Sequence, residues 1–335
     1  MRVAVDAMGG DHAPREIVAG AVRAAAELTG VSKVLLVGDE AAIRDELNKH
    51  RRVSDKIEVK HASEVVGMGE APAQAVRKKK DSSIGRAVDL VKKGEADAVV
   101  SAGNTGAVVV ASSLKLRNLE GVGRPAIATV MPTLKNPFVL IDAGANIDCD
   151  ARLLGQFAVM GAVYCREILG RANPVIGLLS IGGEDTKGNE VTKEAFRVLD
   201  ASNLNFRGNI EGHDLFEGQM DVVVCDGFVG NIVLKTSESV ALVIGRLIKS
   251  EFTANPLRMA GALLLRGATE SLKTKMDPEL HGGALLLGVN GVCIITHGGS
   301  SAKAIFHAIR VACESIHHQL NNLIVEELRR NGLQQ

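Results

Sequence analysis

The chain lacks tryptophan, has one tyrosine, and only 3% of its 335 residues are aromatic. A core in this sequence has to be built from Val, Ile, Leu and Ala. Charge of either sign is not in excess, with 39 Lys and Arg against 39 Asp and Glu. A nucleic-acid binder usually carries a basic surplus, so nucleic acid is not expected as a partner. The five cysteines, Cys149, Cys165, Cys225, Cys293 and Cys313, are odd in number, and no two are spaced Cys-x-x-Cys. No disulfide framework or zinc site is readable, and reduced thiols in a cytosolic protein are expected. No uninterrupted apolar run reaches the roughly 18 residues that a membrane-crossing helix needs. The first ten residues read as a strand and a glycine turn rather than a signal peptide. Also missing are a Gly-x-Gly-x-x-Gly after any strand, His-Glu-x-x-His and Gly-x-Ser-x-Gly. These absences disfavour a nicotinamide enzyme of the usual dinucleotide fold, a zincin and a serine hydrolase.

Glycine is plentiful, at 36 residues, and much of it follows short apolar runs. The runs are "RVAVDAMGG", "KVLLVGD", "DAVVSAGNTG", "FVLIDAGAN", "VIGLLSIGG", "DVVVCDGFVGN" and "GVCIITHGGSS". Most are apolar throughout, as in parallel strands buried on both faces. Helical patterns fall between them, at 14–28, 82–93, 152–168, 192–200 and 237–249. The alternation predicts an α/β sheet with helices on both faces. No linker divides the chain, so 1–335 reads as one unit. Residues 252–276 differ. Leu257, Gly261, Leu264, Ala268 and Leu272 share one helical face, and Arg258, Arg266, Lys273 and Lys275 outnumber Glu270. That segment suits packing on the body or a second subunit, or resting on anionic lipid.

In open parallel sheets ligands bind beyond the carboxyl ends of the strands. Asp6, residues 101–106, residues 142–148, residues 182–190, residues 226–231 and His297 all follow such ends, and the expectation is one polar site. "SAGNTGA" and "DGFVGN" lead from strand to helix. Their glycines let a ligand approach, and free amides at a helix start attract anions. Asp6 and Asp11 read as anchors of loop amides and His12 as a surface or site-wall residue, rather than as metal ligands. Cys225, inside "VVVC", reads as a small core residue rather than a nucleophile. "GGEDTKGNE" (182–190) imitates a phosphate loop, yet Asn189 and Glu190 stand where the lysine and hydroxyl of such a loop belong.

In sequence and order, "VAVDAMGGDHAP", "SAGNTGA", "DAGANIDC", "GEDTKGNE", "VCDGFVGNIVLKT" and "HGGSS…FHAIR" resemble the PlsX family of phosphate acyltransferases, from Val3 to Arg310. The resemblance implies a three-layer α/β/α fold with a mostly parallel sheet, similar to phosphotransacetylases and isopropylmalate-type dehydrogenases. It implies transfer of a fatty acyl group from acyl carrier protein to inorganic phosphate for phospholipid synthesis, without a cofactor. It also implies a homodimer, cytoplasmic but touching the inner membrane face, with a downstream glycerol-phosphate acyltransferase as a further partner. A phosphotransacetylase-like use of acyl-coenzyme A is the alternative. Two positions depart from the family pattern. Ile295 stands where a lysine precedes the His-Gly pair, and Lys303 follows a longer Gly298-Gly299-Ser300-Ser301 loop.

Attack of phosphate on a thioester needs the phosphate held, the oxyanion stabilised and the thiolate released. Lys187 is the expected charge-stabilising group and Asn231 the orienting donor. Asp6, Gly103, Asn104, Gly106, Asp142, Asn146, Glu184, Asp226, Gly230 and His297 are expected around the substrate. Leu257, Leu264 and Leu265 are expected to meet acyl chain or membrane. Arg77 to Lys80, with Arg258 and Arg266, are basic groups suited to an acidic carrier protein.

Overall fold

Alternate residues of each apolar run go to opposite faces of one sheet. Val3 and Val5 enter one core and Ala4 the other; Val34 and Leu36 enter the first, Leu35 and Val37 the second. This is the period of two of a strand covered on both sides. The computed structural model describes residues 1–133, 135–275 and 277–335. The strands are β1 (Arg2–Asp6), β2 (Lys33–Gly38), β3 (Ile57–His61), β4 (Ala98–Ser101), β5 (Ala126–Met131), β6 (Phe138–Ile141), β7 (Ile176–Leu179), β8 (Phe206–Ile210), β9 (Val222–Val224), β10 (Ala284–Leu287) and β11 (Val292–Ile295). The helices are α1 (Arg15–Glu27), α2 (Glu40–Leu47), α3 (Pro72–Lys78), α4 (Ser83–Lys92), α5 (Thr105–Leu116), α6 (Ala151–Leu169), α7 (Glu190–Asp200), α8 (Gly227–Phe252), α9 (Pro256–Leu264), α10 (Arg266–Lys275), α11 (Ala302–His317) and α12 (Leu320–Arg330).

The strands form one sheet in the order β3-β2-β1-β4-β11-β10-β5-β6-β9-β7-β8. Helices α1, α6, α7, α11 and α12 cover one face. Helices α3, α4, α5 and the first turns of α8 cover the other, giving the three layers. Side-chain caps start most helices: Asp39, Ser82, Asn104, Asp150, Asn189, Asp226, Asn255 and Ser301 each accept a first-turn amide. Each such cap is worth about 1 kcal/mol.

The sheet is mostly but not wholly parallel. β10 runs antiparallel to β11 and to β5, and β5 runs antiparallel to β6. Two reversals leave β5 aligned with β1, β2, β3, β4 and β11; the third turns β6, β7, β8 and β9 the other way. The carboxyl ends of the two halves therefore face opposite edges. This corrects the expectation of one polar site at all six strand ends.

Helix α8 is longer than the 237–249 pattern suggests, and an 18-residue stretch of it with mean hydropathy 1.3 makes it long and apolar enough by composition to cross a bilayer. It is rooted in the α/β body, however. Gly227 and Gly230 are buried, and Val229, Val233 and Leu234 pack on the second core. From Ala241 to Glu251 every residue is exposed. The segment expected as one helix over 252–276 is two, with the turn at Leu265. Leu257 is 84% and Leu264 88% exposed, and Leu265 is exposed as well. Met276 and the side chains of Leu272, Lys273 and Lys275 lie outside the described residues.

Candidate active site

One edge gathers the carboxyl ends of β6, β9 and β7, which are neighbours in that order. The loop after β6 is organised by Asp142, whose side chain is fully buried. Its Oδ1 accepts amides from Ile127 (3.0 Å), Gly144 (3.1 Å) and Ala145 (3.0 Å). Its Oδ2 accepts the Asn146 amide (2.7 Å) and Asn146 Nδ2 (2.9 Å). Burial pushes this carboxyl up, while the N–H donors oppose the change by stabilising its anion. Asp142 thus anchors the loop. Asn146 is committed too, its Nδ2 also donating to the Pro125 carbonyl at 2.7 Å.

The loop docks on the start of α8. The Gly227 amide donates to the Asn146 carbonyl at 2.7 Å. Asp226 caps the helix through Val229 (2.8 Å), and the Gly230 amide reaches the Asp226 carbonyl at 2.9 Å. Gly230 has to be glycine, because a β-carbon there would overlap the Asp142 carbonyl oxygen. The Phe228 amide keeps no partner among the described residues. Helix α8 has 26 residues, so its positive end is fully developed around that amide. Asn231, in the same turn, is exposed and its amide group is uncommitted among the described residues.

Beside it, β7 delivers the loop 182–190. Lys187 is exposed and makes no ion pair among the described residues, so the pairing with Glu184 or Glu190 that would make it merely structural is not formed. Its stem folds over Gly182, where an added β-carbon would stand 2.7 Å from Lys187 Cγ. Glu184 is exposed, and its carbonyl is held by Asn209 Nδ2 from β8 at 2.8 Å. Asn209 Oδ1 and Ser180 Oγ are buried at this loop without hydrogen-bond partners among the described residues. Asn209 escaped the sequence reading; an asparagine inside a strand is its only local signal. Cys225 is buried, and burial pushes its thiol well above the ordinary range, against a nucleophilic role.

The other edge holds the remaining expected residues. Asp6 is buried and accepts Ser101 Oγ (2.7 Å) and the Met8 amide (3.3 Å), and burial pushes its carboxyl up. The Gly103 amide donates to Ser101 Oγ at 3.0 Å, and Gly9 packs so close that a β-carbon on it would stand 2.7 Å from Gly103 N. Asn104 caps α5 through Ala107 (3.0 Å), and its Nδ2 faces the Gly67, Met68 and Glu70 carbonyls (3.3, 3.0 and 3.1 Å). Pro72 lies over Gly106, 2.5 Å from where a β-carbon would be. The start of α5, expected to be an open anion site at 103–106, is thus partly covered by the segment 67–72, with Thr105 still exposed. His297 is exposed, its Nδ1 accepting the Gly299 amide at 3.1 Å. Lys303 does not stand in for the lysine replaced by Ile295, since it pairs with Asp277 at 2.7 Å. No hydrogen bond or ion pair joins the two edges among the described residues.

Comparison with known proteins gives first the fold and then the class. The structure resembles a phosphotransacetylase from Streptococcus pyogenes (TM-score 0.63, 21% identity, 95% of this chain and 94% of that one). It also resembles a branched-chain phosphotransacylase from Enterococcus faecalis (TM-score 0.55, 16% identity, 95% and 99%) and a 4-hydroxythreonine-4-phosphate dehydrogenase from Klebsiella pneumoniae (TM-score 0.51, 15% identity, 95% and 99%). At these identities the likeness establishes the fold alone. Residues 1–323 match the family described as "Fatty acid synthesis protein". A phosphate acyltransferase of Desulfitobacterium hafniense is 52% identical over 331 residues, covering 98% of each chain. One of Geobacter sulfurreducens is 50% identical over 328 residues, covering 98% of this chain and 94% of that protein. The chain belongs to the phosphate acyltransferase family, and it is an enzyme of the acyltransferase class.

Proposed function

We propose that the acyl donor is acyl carrier protein, the acceptor inorganic phosphate, and the product an acyl phosphate used in phospholipid synthesis. The observation that carries this reading is the uncommitted pair Lys187 and Asn231 on adjacent strand ends, beside the free amide at the start of α8. Phosphate carries nucleophilic oxygens at neutral pH, so no protein nucleophile is required. One phosphate oxygen attacks the thioester carbonyl, the C–S bond breaks, and the thiolate departs. Lys187 offsets the charge on the oxyanion or the departing sulfur, and Asn231 orients the reactants. Asp142 and Asn146 act indirectly, by holding the loop on which α8 is seated.

The exposed apolar side chains of α8 and α9 support contact with a second copy of the chain and transient contact with a membrane surface. On this reading the enzyme is cytoplasmic, peripheral to the inner membrane face, and passes its product to a glycerol-phosphate acyltransferase. Arg77, Lys78 and Lys80 are exposed and free of ion pairs among the described residues, which suits an acidic carrier. Lys79 is instead paired with Glu70, Arg258 with Glu251 and Arg266 with Glu270.

The test supplies purified enzyme and phosphate with long-chain acyl carrier protein or the matching acyl-coenzyme A, and traps acyl phosphate with hydroxylamine. A clear preference for the carrier-protein thioester is expected. Equal or better use of the coenzyme A thioester would replace this reading with the phosphotransacetylase-like one.

A further inference from the structure

We propose that Ile147, Ile181, Phe228 and Ile232 form an apolar rim that binds the acyl chain beyond its first few carbons and sets chain-length preference. The proposal rests on the reading that Lys187 and Asn231 flank the reacting carbonyl.

All four are large apolar side chains left in water: Ile147 is 68%, Ile181 81%, Phe228 60% and Ile232 49% exposed. They come from three different loops or turns. Ile147 follows Asn146 after β6, Ile181 opens the Lys187 loop after β7, and Phe228 and Ile232 sit in the first turns of α8 after β9. These strands are neighbours, and strands in a sheet lie about 4.8 Å apart, so the three carboxyl ends span about 10 Å. Phe228 and Ile232 bracket Asn231 in sequence, and Ile181 is six residues before Lys187. The apolar groups are thus interleaved with the polar ones at the same edge.

Their placement is not the accident of a loose loop. Ile147 is carried by the loop that Asp142 pins, and that loop is fastened to α8 by the Gly227 amide. A set of apolar side chains held in water around a few polar groups is the pattern of a ligand site. The family's reaction moves an acyl group, so an apolar chain has to lie within reach of the reacting carbonyl. The rim supplies that surface without involving residues 257–272, which lie beyond the far end of α8.

The experiment compares Ile181→Ser and Phe228→Ser with the parent enzyme on palmitoyl and butyryl thioesters of the same carrier, with thermal unfolding and sedimentation measured alongside. The expected result is a palmitoyl-to-butyryl ratio of kcat/KM about tenfold lower in each variant. Equal loss at both lengths, or no loss at either, overturns the proposal. An unchanged ratio with altered sedimentation instead assigns the surface to a second copy of the chain. Ile181 lies in an exposed loop outside both cores, so its variant decides the matter should Phe228→Ser fail to fold. Lys187→Ala on the same two substrates tests the catalytic reading separately: turnover that survives there removes the lysine's role, whereas the chain-length ratio reports on the rim.

Discussion

Gly144 and Asn231 are seated against each other: a β-carbon on Gly144 would stand 3.4 Å from Asn231 Cβ and 3.5 Å from its Oδ1. Gly144 also has φ of +137°, a backbone conformation that favours glycine. A side chain at Gly144 would touch Asn231 at ordinary contact distance, and the cost of adding one lies in the backbone conformation. Asn231→Ala is expected to lower turnover about 10- to 100-fold with an unchanged melting temperature, because the exposed amide holds no partner among the described residues. Gly144→Ala is expected to lower both. Steady-state kinetics and calorimetry on the two variants check the contrast.

Lys187→Ala is expected to cut turnover about 100-fold or more. It makes no ion pair among the described residues, so stability should stay within about 0.5 kcal/mol of the parent. Near-normal turnover in a folded variant would remove the lysine from the mechanism.

Gly230→Ala should be among the most damaging single-methyl additions in the chain. The new carbon would overlap the Asp142 carbonyl and stand 3.0 Å from Cys225 Sγ. Overpacking in a rigid loop costs about 1–3 kcal/mol or more. Denaturant midpoints should fall accordingly, and a variant as stable as the parent would show that the junction of loop and helix yields easily.

Cys293 is fully buried, and burial pushes its thiol up to about 12. In the unfolded chain the thiol ionises near pH 8.5. Above that value the unfolded state holds fewer protons than the folded one, so stability falls as pH rises. The contribution is fully present below the unfolded value and is lost toward pH 12. Urea unfolding between pH 7 and 10 should show this decline, and Cys293→Ala should reduce its slope without abolishing it, since the Cys165 thiol is likewise pushed up to about 12.

Reversing the charge of Arg77, Lys78 and Lys80 should raise KM for acyl carrier protein and weaken its dependence on salt. Lys79 is best left in place, because its Nζ also holds the Val65 carbonyl at 2.7 Å. An unchanged KM and salt response would move the carrier to another face.

Strands such as β1, β9 and β11 were legible because they are apolar throughout and end in glycine turns. The edge strands β3 and β8 were not, for IEVKH and FRGNI are half-exposed and carry no continuous run. β5 lies between Pro125 and Pro132 with no glycine turn to announce it. Strand direction was invisible for a different reason. Residue pattern reports which face is buried, not which way a strand runs, so the reversals at β10 and β5 could not be foreseen. The same limit governs the candidate site. Asn104 and Asn231 sit in similar glycine-rich turns, yet Asn104 is covered by the segment 67–72, some 35 residues earlier in the chain, while Asn231 is left open. That difference is made by long-range contacts, which no local motif encodes.

Helix α8 gives the molecule a lever. At 1.5 Å per residue, its 26 residues make a rod about 39 Å long. It is clamped at one end by the Asp142 loop and free of the cores along the other. The clamped end carries Asn231. A stiff rod turns a push at its free end into torque at its pivot, and the pivot here is the turn that carries Asn231, the group proposed to orient the reactants. On that proposal, any body that takes hold of the far helices has mechanical access to the chemistry without coming near it.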